Sequence, residues 1–174
     1  FEPEFTALLE LFDSLRPRRV LEIGVREGGS LYQWIKHAPG AEIFAIDQPG
    51  VGWGFDGSAN PAAWEEWAGR FGCELAVYLG DSHSAAAIDF ICENGPYDFV
   101  FIDGDHSAAG VLMDILAVAG VTCVIGIHDI LPDRTDDTIA IWRVWPFLQS
   151  AFPDNCELTS ATGQGSRGIG VLYA

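Results

Sequence analysis

The segment Leu21-Glu-Ile-Gly-Val-Arg-Glu-Gly-Gly-Ser30 runs from an apolar strand pattern through a glycine-rich turn into a helical pattern. We predict a buried strand over Arg19–Gly24 and a helix from about Ser30 to His37. Glycines at such a turn allow a ligand to approach the backbone beside a helix N-terminus. Their spacing differs from the GxGxxG pattern of dinucleotide-binding proteins, which disfavours a nicotinamide-dependent oxidoreductase.

The same alternation of strand and helix patterns extends over most of the 174 residues. A helix is predicted before the first strand, and four further strands are predicted over 43–47, 74–80, 97–103 and 121–127. Two final strands, Cys156–Thr162 and Gly168–Ala174, are predicted to pair in a tight antiparallel hairpin. The alternation requires a mostly parallel sheet with helices on both faces, so we predict one α/β domain over residues 1–174.

Charge and composition exclude several classes of partner. The chain has 9 basic and 25 acidic residues and a net charge of −16, so it lacks the basic surface that binds nucleic acid or an anionic membrane. The longest apolar stretch, Ile115 to Ile127, is too short to span a bilayer. Four widely spaced cysteines are interpreted as reduced, mostly core residues, and acidic residues interrupt any N-terminal leader pattern. These features predict a cytoplasmic protein.

Polar residues follow each predicted parallel strand, where open sheets of this kind bind their ligands. Asp47 ends the second strand and is placed to accept hydrogen bonds from a ribose diol. The third strand leads into Gly80-Asp-Ser-His83, the fourth into Asp103-Gly-Asp-His106, and the fifth into His128-Asp129. Asp81 and Ser82 have an alternative role as caps of the next helix. Asp105 is expected to orient its loop or to cap the following helix.

These motifs resemble those of class I S-adenosylmethionine-dependent methyltransferases. More narrowly, the chain is similar to a small-molecule O-methyltransferase branch that includes macrocin O-methyltransferase-like proteins and the relatives called cephalosporin hydroxylases. The similarity rests on Leu21 to Ser30, Gly80-Asp-Ser82, Phe101-Ile-Asp-Gly-Asp-His106 and His128-Asp-Ile130, and it extends to Gly168-Ile-Gly-Val-Leu-Tyr173. It implies a Rossmann-like, seven-stranded, mostly parallel sheet with an antiparallel C-terminal hairpin. It also implies S-adenosylmethionine as cofactor and a small hydroxylated acceptor, such as a sugar or a natural product.

The resemblance also implies a role for individual positions. Gly24 and its turn would approach the methionine part of the cofactor, Asp47 would hold the ribose, and Asp81 with Ser82 would lie beside the adenine. The full set of residues implied in cofactor binding is Glu22, Gly24, Gly28, Ser30, Asp47, Asp81, Ser82 and Asp103. His106 would be the general base, and a divalent cation such as Mg²⁺ would be bound by Asp103, His128 and Asp129. Related enzymes often have an acidic residue in place of His128, so the chain departs from their pattern at the implied metal site.

Other functions use the same residues. A metal-dependent hydrolase or hydroxylase would employ the Asp and His residues without methyl transfer. A non-catalytic module would bind the cofactor only, since the chain has little room for the lid that usually defines the acceptor. The loop from Gln48 to Asn60, which carries Trp53, is the best candidate for such a lid. A homo-oligomer is compatible with a methyltransferase, with a hydrolase or hydroxylase, and with a cofactor-binding module.

Overall fold

The computed structural model describes residues 3–50, 59–132, 139–160 and 167–174 of the chain. In these ranges seven strands and six helices alternate. The strands are β1 (Arg19–Ile23), β2 (Glu42–Asp47), β3 (Glu74–Leu79), β4 (Phe99–Ile102), β5 (Val124–His128), β6 (Asn155–Leu158) and β7 (Ile169–Tyr173). The helices are α1 (Pro3–Leu15), α2 (Gly29–His37), α3 (Pro61–Phe71), α4 (Ala85–Asn94), α5 (Ala108–Val118) and α6 (Ile141–Ala151).

The strands form one sheet in the order β3-β2-β1-β4-β5-β7-β6. Strands β1 to β5 are parallel, whereas β7 pairs antiparallel with both β5 and β6. The predicted seven-stranded, mostly parallel sheet with an antiparallel C-terminal pair is therefore confirmed. The strand order reverses direction between β1 and β4, which places the predicted ligand crevice at the carboxyl ends of these two strands.

Helices cover both faces of the sheet, as the alternation of strand side chains requires. Val20 of β1 packs in a cluster with side chains of α1, α2 and α3, including the fully buried Trp34. Its neighbour Leu21 packs in a second cluster with side chains of α4, α5 and α6, including Trp145. Two apolar layers thus hold the central strands in place from opposite sides.

Side-chain caps fix where three helices begin. Asn60 accepts a hydrogen bond from the backbone N–H of Ala63 and is followed by Pro61, a pair that favours the start of α3. Ser107 caps α5 in the same way. The cap of α4 is Ser84, and the alternative that Asp81 or Ser82 caps this helix is therefore wrong.

Other details differ from the sequence-based expectation. Strand β6 ends at Leu158 and β7 begins at Ile169, so both are shorter than predicted, and the predicted tight turn between them lies outside the described residues. All four cysteines are free, but Cys92 and Cys123 are exposed rather than part of the core. The loop segment carrying Trp53 also lies outside the described residues. In the described part of the chain, no helix has the length and apolar character needed to cross a bilayer.

A comparison of Gly24→Ala with Gly40→Ala tests how closely the central strands approach each other. Both glycines have a left-handed φ, +88° and +76°, which costs an alanine about 1–2 kcal/mol. A Cβ at Gly40 has open space around it, whereas a Cβ at Gly24 would lie 2.3 Å from the carbonyl oxygen of Asp103. We therefore expect Gly24→Ala to lower the free energy of unfolding in urea by clearly more than Gly40→Ala does. Equal losses would contradict the close approach.

Candidate functional site

A cavity of about 830 Å³ opens at the carboxyl ends of the central strands. Of the residues predicted to bind cofactor or metal or to act in catalysis, eight line it: Gly24, Ser30, Asp47, Asp81, Ser82, Asp103, His106 and His128. Glu22, Gly28 and Asp129 do not appear on its wall. The fold therefore gathers most of the predicted residues in one place, and the role of each residue stays a prediction.

The turn after β1 brings two parts of the cavity wall together. Gly24 donates its N–H to the carbonyl oxygen of Ile46 at 2.9 Å, and Asp103 donates its N–H to that of Ile23 at 2.8 Å. Only the missing side chain of Gly24 allows the backbones of β1 and β4 to come this close. Gly28 serves the packing behind the turn instead, because a Cβ there would lie 2.5 Å from Nε1 of Trp64.

Asp47 braces the same turn from β2. Its Oδ1 accepts hydrogen bonds from the backbone N–H groups of Val25 (3.0 Å) and Arg26 (2.9 Å). The side chain is 9% exposed and lines the cavity. Because a carboxylate has about four sites that accept hydrogen bonds, Asp47 retains the capacity to bind a ligand hydroxyl while it holds the turn.

Glu22 lies beneath the cavity rather than on its wall. The side chain is fully buried, and the hydroxyl of Ser30 donates a hydrogen bond to its Oε1. Burial raises the pKa of Glu22 well above its ordinary value, and the Ser30 hydrogen bond opposes this shift. Glu22 thus fixes the side chain of Ser30, a residue that lines the cavity.

On the other side of the cavity, Asp114 holds the loop that follows β3. Ser82 donates its hydroxyl to Oδ1 of Asp114 at 2.8 Å, and Nε2 of His83 lies 3.1 Å from the same oxygen. Asp81 accepts a hydrogen bond at Oδ1 from the backbone N–H of His83. Burial raises the pKa of Asp114 to about 6, although Ser82 and His83 both oppose the shift.

Asp114 was not among the predicted site residues, although its position in the sequence indicates a buried polar contact. Asp114 lies on the same face of α5 as Val111, Ile115 and Val118, all of which are buried. An acidic residue on the apolar face of a helix needs a buried partner. That partner is Ser82, which lies 32 residues away along the chain.

Four side chains at the ends of β4 and β5 form what we call the Asp/His cluster: Asp103, His106, His128 and Asp129. Nδ1 of His106 lies 2.6 Å from Oδ2 of Asp129, and its Nε2 lies 3.5 Å from Oδ1 of Asp103. Nδ1 of His128 lies 3.2 Å from Oδ1 of Asp103 and 3.3 Å from Oδ1 of Asp129. Asp129 is fully buried, whereas the other three side chains reach the cavity.

Opposite charges dominate the electrostatics of this cluster. Burial alone would lower the pKa of His128, but the carboxylates of Asp103 and Asp129 raise it to about 11. The same two carboxylates raise the pKa of His106 against the effect of its burial. Burial would raise the pKa of Asp129, but the two imidazoles lower it below its ordinary value. The guanidinium of Arg167, which no sequence motif indicated, adds a positive charge 3.8 Å from Asp129.

The cluster has the donor atoms that a divalent cation requires. Asp103, His106 and Asp129 each place one ligand atom within 4.8 Å of the others, and His128 touches both carboxylates. Oδ1 of Asp103 and both oxygens of Asp129 are buried, and nitrogens of His106 and His128 lie within 2.6–3.5 Å of them. Buried carboxylate oxygens in this state fit a metal-binding role.

Several solved structures similar to this one are methyltransferases. An O-methyltransferase from Bacillus cereus in complex with S-adenosylhomocysteine (SAH) is 18% identical over 99% of this chain and 80% of that chain, with a TM-score of 0.67. The O-methyltransferase TomG from Streptomyces achromogenes, which is involved in tomaymycin synthesis and was solved with S-adenosylmethionine, is 16% identical over 100% and 81%, with a TM-score of 0.67. MycE of the mycinamycin pathway, solved with Mg and SAH, is 20% identical over 97% and 48%, with a TM-score of 0.66.

A family of methyltransferase domains matches residues 21–130, which is more than half of the chain. The chain belongs to this family, and the predicted methyltransferase class is confirmed. Membership favours methyl transfer over the hydrolase or hydroxylase that the Asp and His residues alone left open. No curated protein matches the chain.

The replacement Asp114→Asn tests the electrostatics of the buried carboxyl. The pKa of Asp114 is about 6 in the folded protein, above the value of about 3.9 in an unfolded chain, so folding favours its protonated form. Its contribution to stability is therefore full below pH 4 and falls as the pH rises to about 6. Relative to the wild type, Asp114→Asn is expected to gain up to about 3 kcal/mol of unfolding free energy between pH 4 and pH 7, measured in urea. A difference that does not vary with pH would contradict this assignment.

Proposed function

We propose that this methyltransferase transfers a methyl group from S-adenosylmethionine to a hydroxyl of a small acceptor, such as a sugar or a natural product. The observation that carries the proposal is the pair formed by His106 and Asp129, 2.6 Å apart, at a cavity that the glycine turn after β1 also lines. Hydroxyl methylation needs a base of this kind, because the acceptor proton must leave. The O-methyltransferase function of the similar structures supports the same reaction.

We assign the cofactor to the β1, β2 and β3 side of the cavity. Gly24 leaves backbone surface open to the methionine part, and Asp47 offers its carboxylate to the ribose hydroxyls. Ser82, held by the buried Asp114, lies where the adenine would bind. S-adenosylmethionine supplies a methyl group on a positively charged sulfur, and these residues would fix its position for an in-line displacement.

His106 acts as the general base in this proposal. Its Nδ1 faces the carboxylate of Asp129, so the proton of the neutral ring lies on Nδ1 and Nε2 accepts the proton of the acceptor. The buried carboxylate also stabilises the imidazolium that forms. Asp103, His128 and Asp129 would hold a divalent cation, which would orient and acidify the acceptor hydroxyl.

Two further features complete the proposal. Residues 1–174 form one methyltransferase domain, consistent with one sheet that contains all seven described strands. The protein works in the cytoplasm, which is consistent with four cysteines that form no disulfide.

The replacement Asp47→Ala tests the ribose assignment, with Asp98→Ala as a matched control. Asp98 also accepts hydrogen bonds from two successive backbone N–H groups, those of Arg18 and Arg19, but at the opposite end of the sheet. Loss of a charged hydrogen-bonding group costs about 1.5–3 kcal/mol, so Asp47→Ala should weaken SAH binding by about ten- to a hundredfold in calorimetry. Asp98→Ala should leave it unchanged. An unaltered affinity in folded Asp47→Ala would remove Asp47 from the site.

The replacement His106→Ala tests the base, with His37→Ala as its control. His37 also pairs with a carboxylate, that of Asp13 at 2.9 Å, but lies at the end of α2 away from the cavity. In assays of SAH release with a panel of hydroxylated acceptors, His106→Ala should lower turnover by about a hundredfold or more. Its SAH affinity and the turnover of His37→Ala should stay near the wild-type values. Full turnover in His106→Ala would show that another group removes the proton.

A further inference from the structure

We propose that His128 supplies a nitrogen ligand to the cation at the Asp/His cluster, so that the site selects a first-row transition ion, such as Mn²⁺, Fe²⁺ or Co²⁺, over Mg²⁺. This inference rests on the proposed function, because it concerns the metal of the same site. It departs from MycE, a similar structure solved with Mg.

The backbone allows His128 and Asp129 to act as ligands of the same ion. Successive residues of a strand normally point to opposite faces of the sheet. Here β5 ends at His128, and Asp129 adopts a left-handed φ of +62°, which turns the chain. As a result, Nδ1 of His128 and the carboxylate of Asp129 come within 3.3 Å of each other. A non-glycine residue in this conformation is strained, and such strain is concentrated at functional sites.

The distances from Nδ1 of His128 to the two carboxylates fit donors on a single ion. Nδ1 of His128 is 3.2 Å from Oδ1 of Asp103 and 3.3 Å from Oδ1 of Asp129. Donors that each lie about 2.0–2.2 Å from one metal are separated by about 3 Å in octahedral or tetrahedral geometry. Nδ1 of His128 contacts both carboxylates, and a bound metal ion would take the place of the proton on this nitrogen.

We assign His106 to the base rather than to the metal, although it also places a ring nitrogen within 4.8 Å of donor atoms of Asp103 and Asp129. Its Nδ1 faces Oδ2 of Asp129 at 2.6 Å, whereas Nδ1 of His128 lies 3.3 Å from Oδ1. A group that contacts a ligating carboxylate in this way orients the ligand and tunes its basicity. One oxygen of Asp129 can therefore serve the metal while the other serves the base.

The nitrogen donor decides which ions suit the site. Mg²⁺ binds through oxygen ligands in near-ideal octahedral geometry and gives up its water reluctantly. Imidazole is a ligand of first-row transition ions, whose affinity for nitrogen and oxygen sites rises from Mn²⁺ through Fe²⁺ to Co²⁺, whereas Mg²⁺ prefers sites of carboxylate, carbonyl and water. A cluster with two carboxylates and an imidazole should thus retain Mn²⁺ or Co²⁺ but bind Mg²⁺ poorly.

The test compares wild-type protein with His128→Asp, and with His37→Ala as a histidine control outside the cavity. After chelation and dialysis, calorimetry gives the affinities for Mn²⁺ and Mg²⁺, and pulsed electron paramagnetic resonance of the Mn²⁺ form detects coupling to an imidazole ¹⁴N. We expect this coupling in the wild type and in His37→Ala but not in His128→Asp. We also expect His128→Asp to lower the ratio of Mn²⁺ to Mg²⁺ affinity by about tenfold or more, since it replaces the nitrogen ligand with an oxygen ligand.

Three results would overturn the proposal: an absence of metal binding by the wild type, an unchanged affinity ratio in His128→Asp, or ¹⁴N coupling that persists in that variant. The last result would assign the nitrogen ligand to His106. If His128→Asp fails to fold, as judged by circular dichroism, His128→Asn gives the same test of the coupling. SAH binding measured on the same samples separates this proposal from the proposed function, because a wild type that binds SAH but no metal contradicts only the metal site.

Discussion

The close approach of the β1 and β4 backbones at Gly24 and Asp103 is the constraint on which the rest of the site depends. A side chain at Gly24 would collide with the carbonyl oxygen of Asp103, so this contact exists only because residue 24 is a glycine. The contact joins the turn that faces the proposed cofactor to the strand end that carries Asp103 and His106. Hydrogen bonds from Gly24 to β2 and from Asp103 to β1 then lock three strand ends into one wall of the cavity.

Three buried carboxyl groups lie near this wall without lining the cavity. They are of two kinds, which differ in their hydrogen-bonding or ion-pairing partners. Glu22 and Asp114 are each bonded to a serine hydroxyl, and burial raises the pKa of both. Asp129 is equally buried but lies between two imidazoles, which lower its pKa. The first two therefore favour a bound proton and position Ser30 and Ser82, whereas Asp129 keeps its charge. Only a carboxylate that stays charged can attract a metal or stabilise an imidazolium.

The sequence predicts those parts of the fold and the site that depend on local sequence patterns or on the geometry of a parallel sheet. Strand ends gather at one edge in any parallel sheet, so the convergence of Asp47, Asp103 and His128 follows from the strand assignments. The caps at Asn60 and Ser107 follow from three-residue patterns. In contrast, the Gly28–Trp64 contact and the partner of Asp114 depend on how distant helices pack, and Arg167 reaches Asp129 from a separate part of the chain. No short-range pattern encodes these contacts.

Asp129 connects the two proposed chemical functions of the site. One of its oxygens lies against the imidazole of His106 and the other against that of His128, so a single buried carboxylate holds both the base and the candidate metal ligand. A change at either histidine alters the charge that Asp129 presents to the other one. The effects of the two histidines are consequently not independent, as expected for groups that share one partner. This coupling explains why a carboxylate that does not line the cavity is placed at the centre of the cluster, fully shielded from water, where its charge acts most strongly on its neighbours.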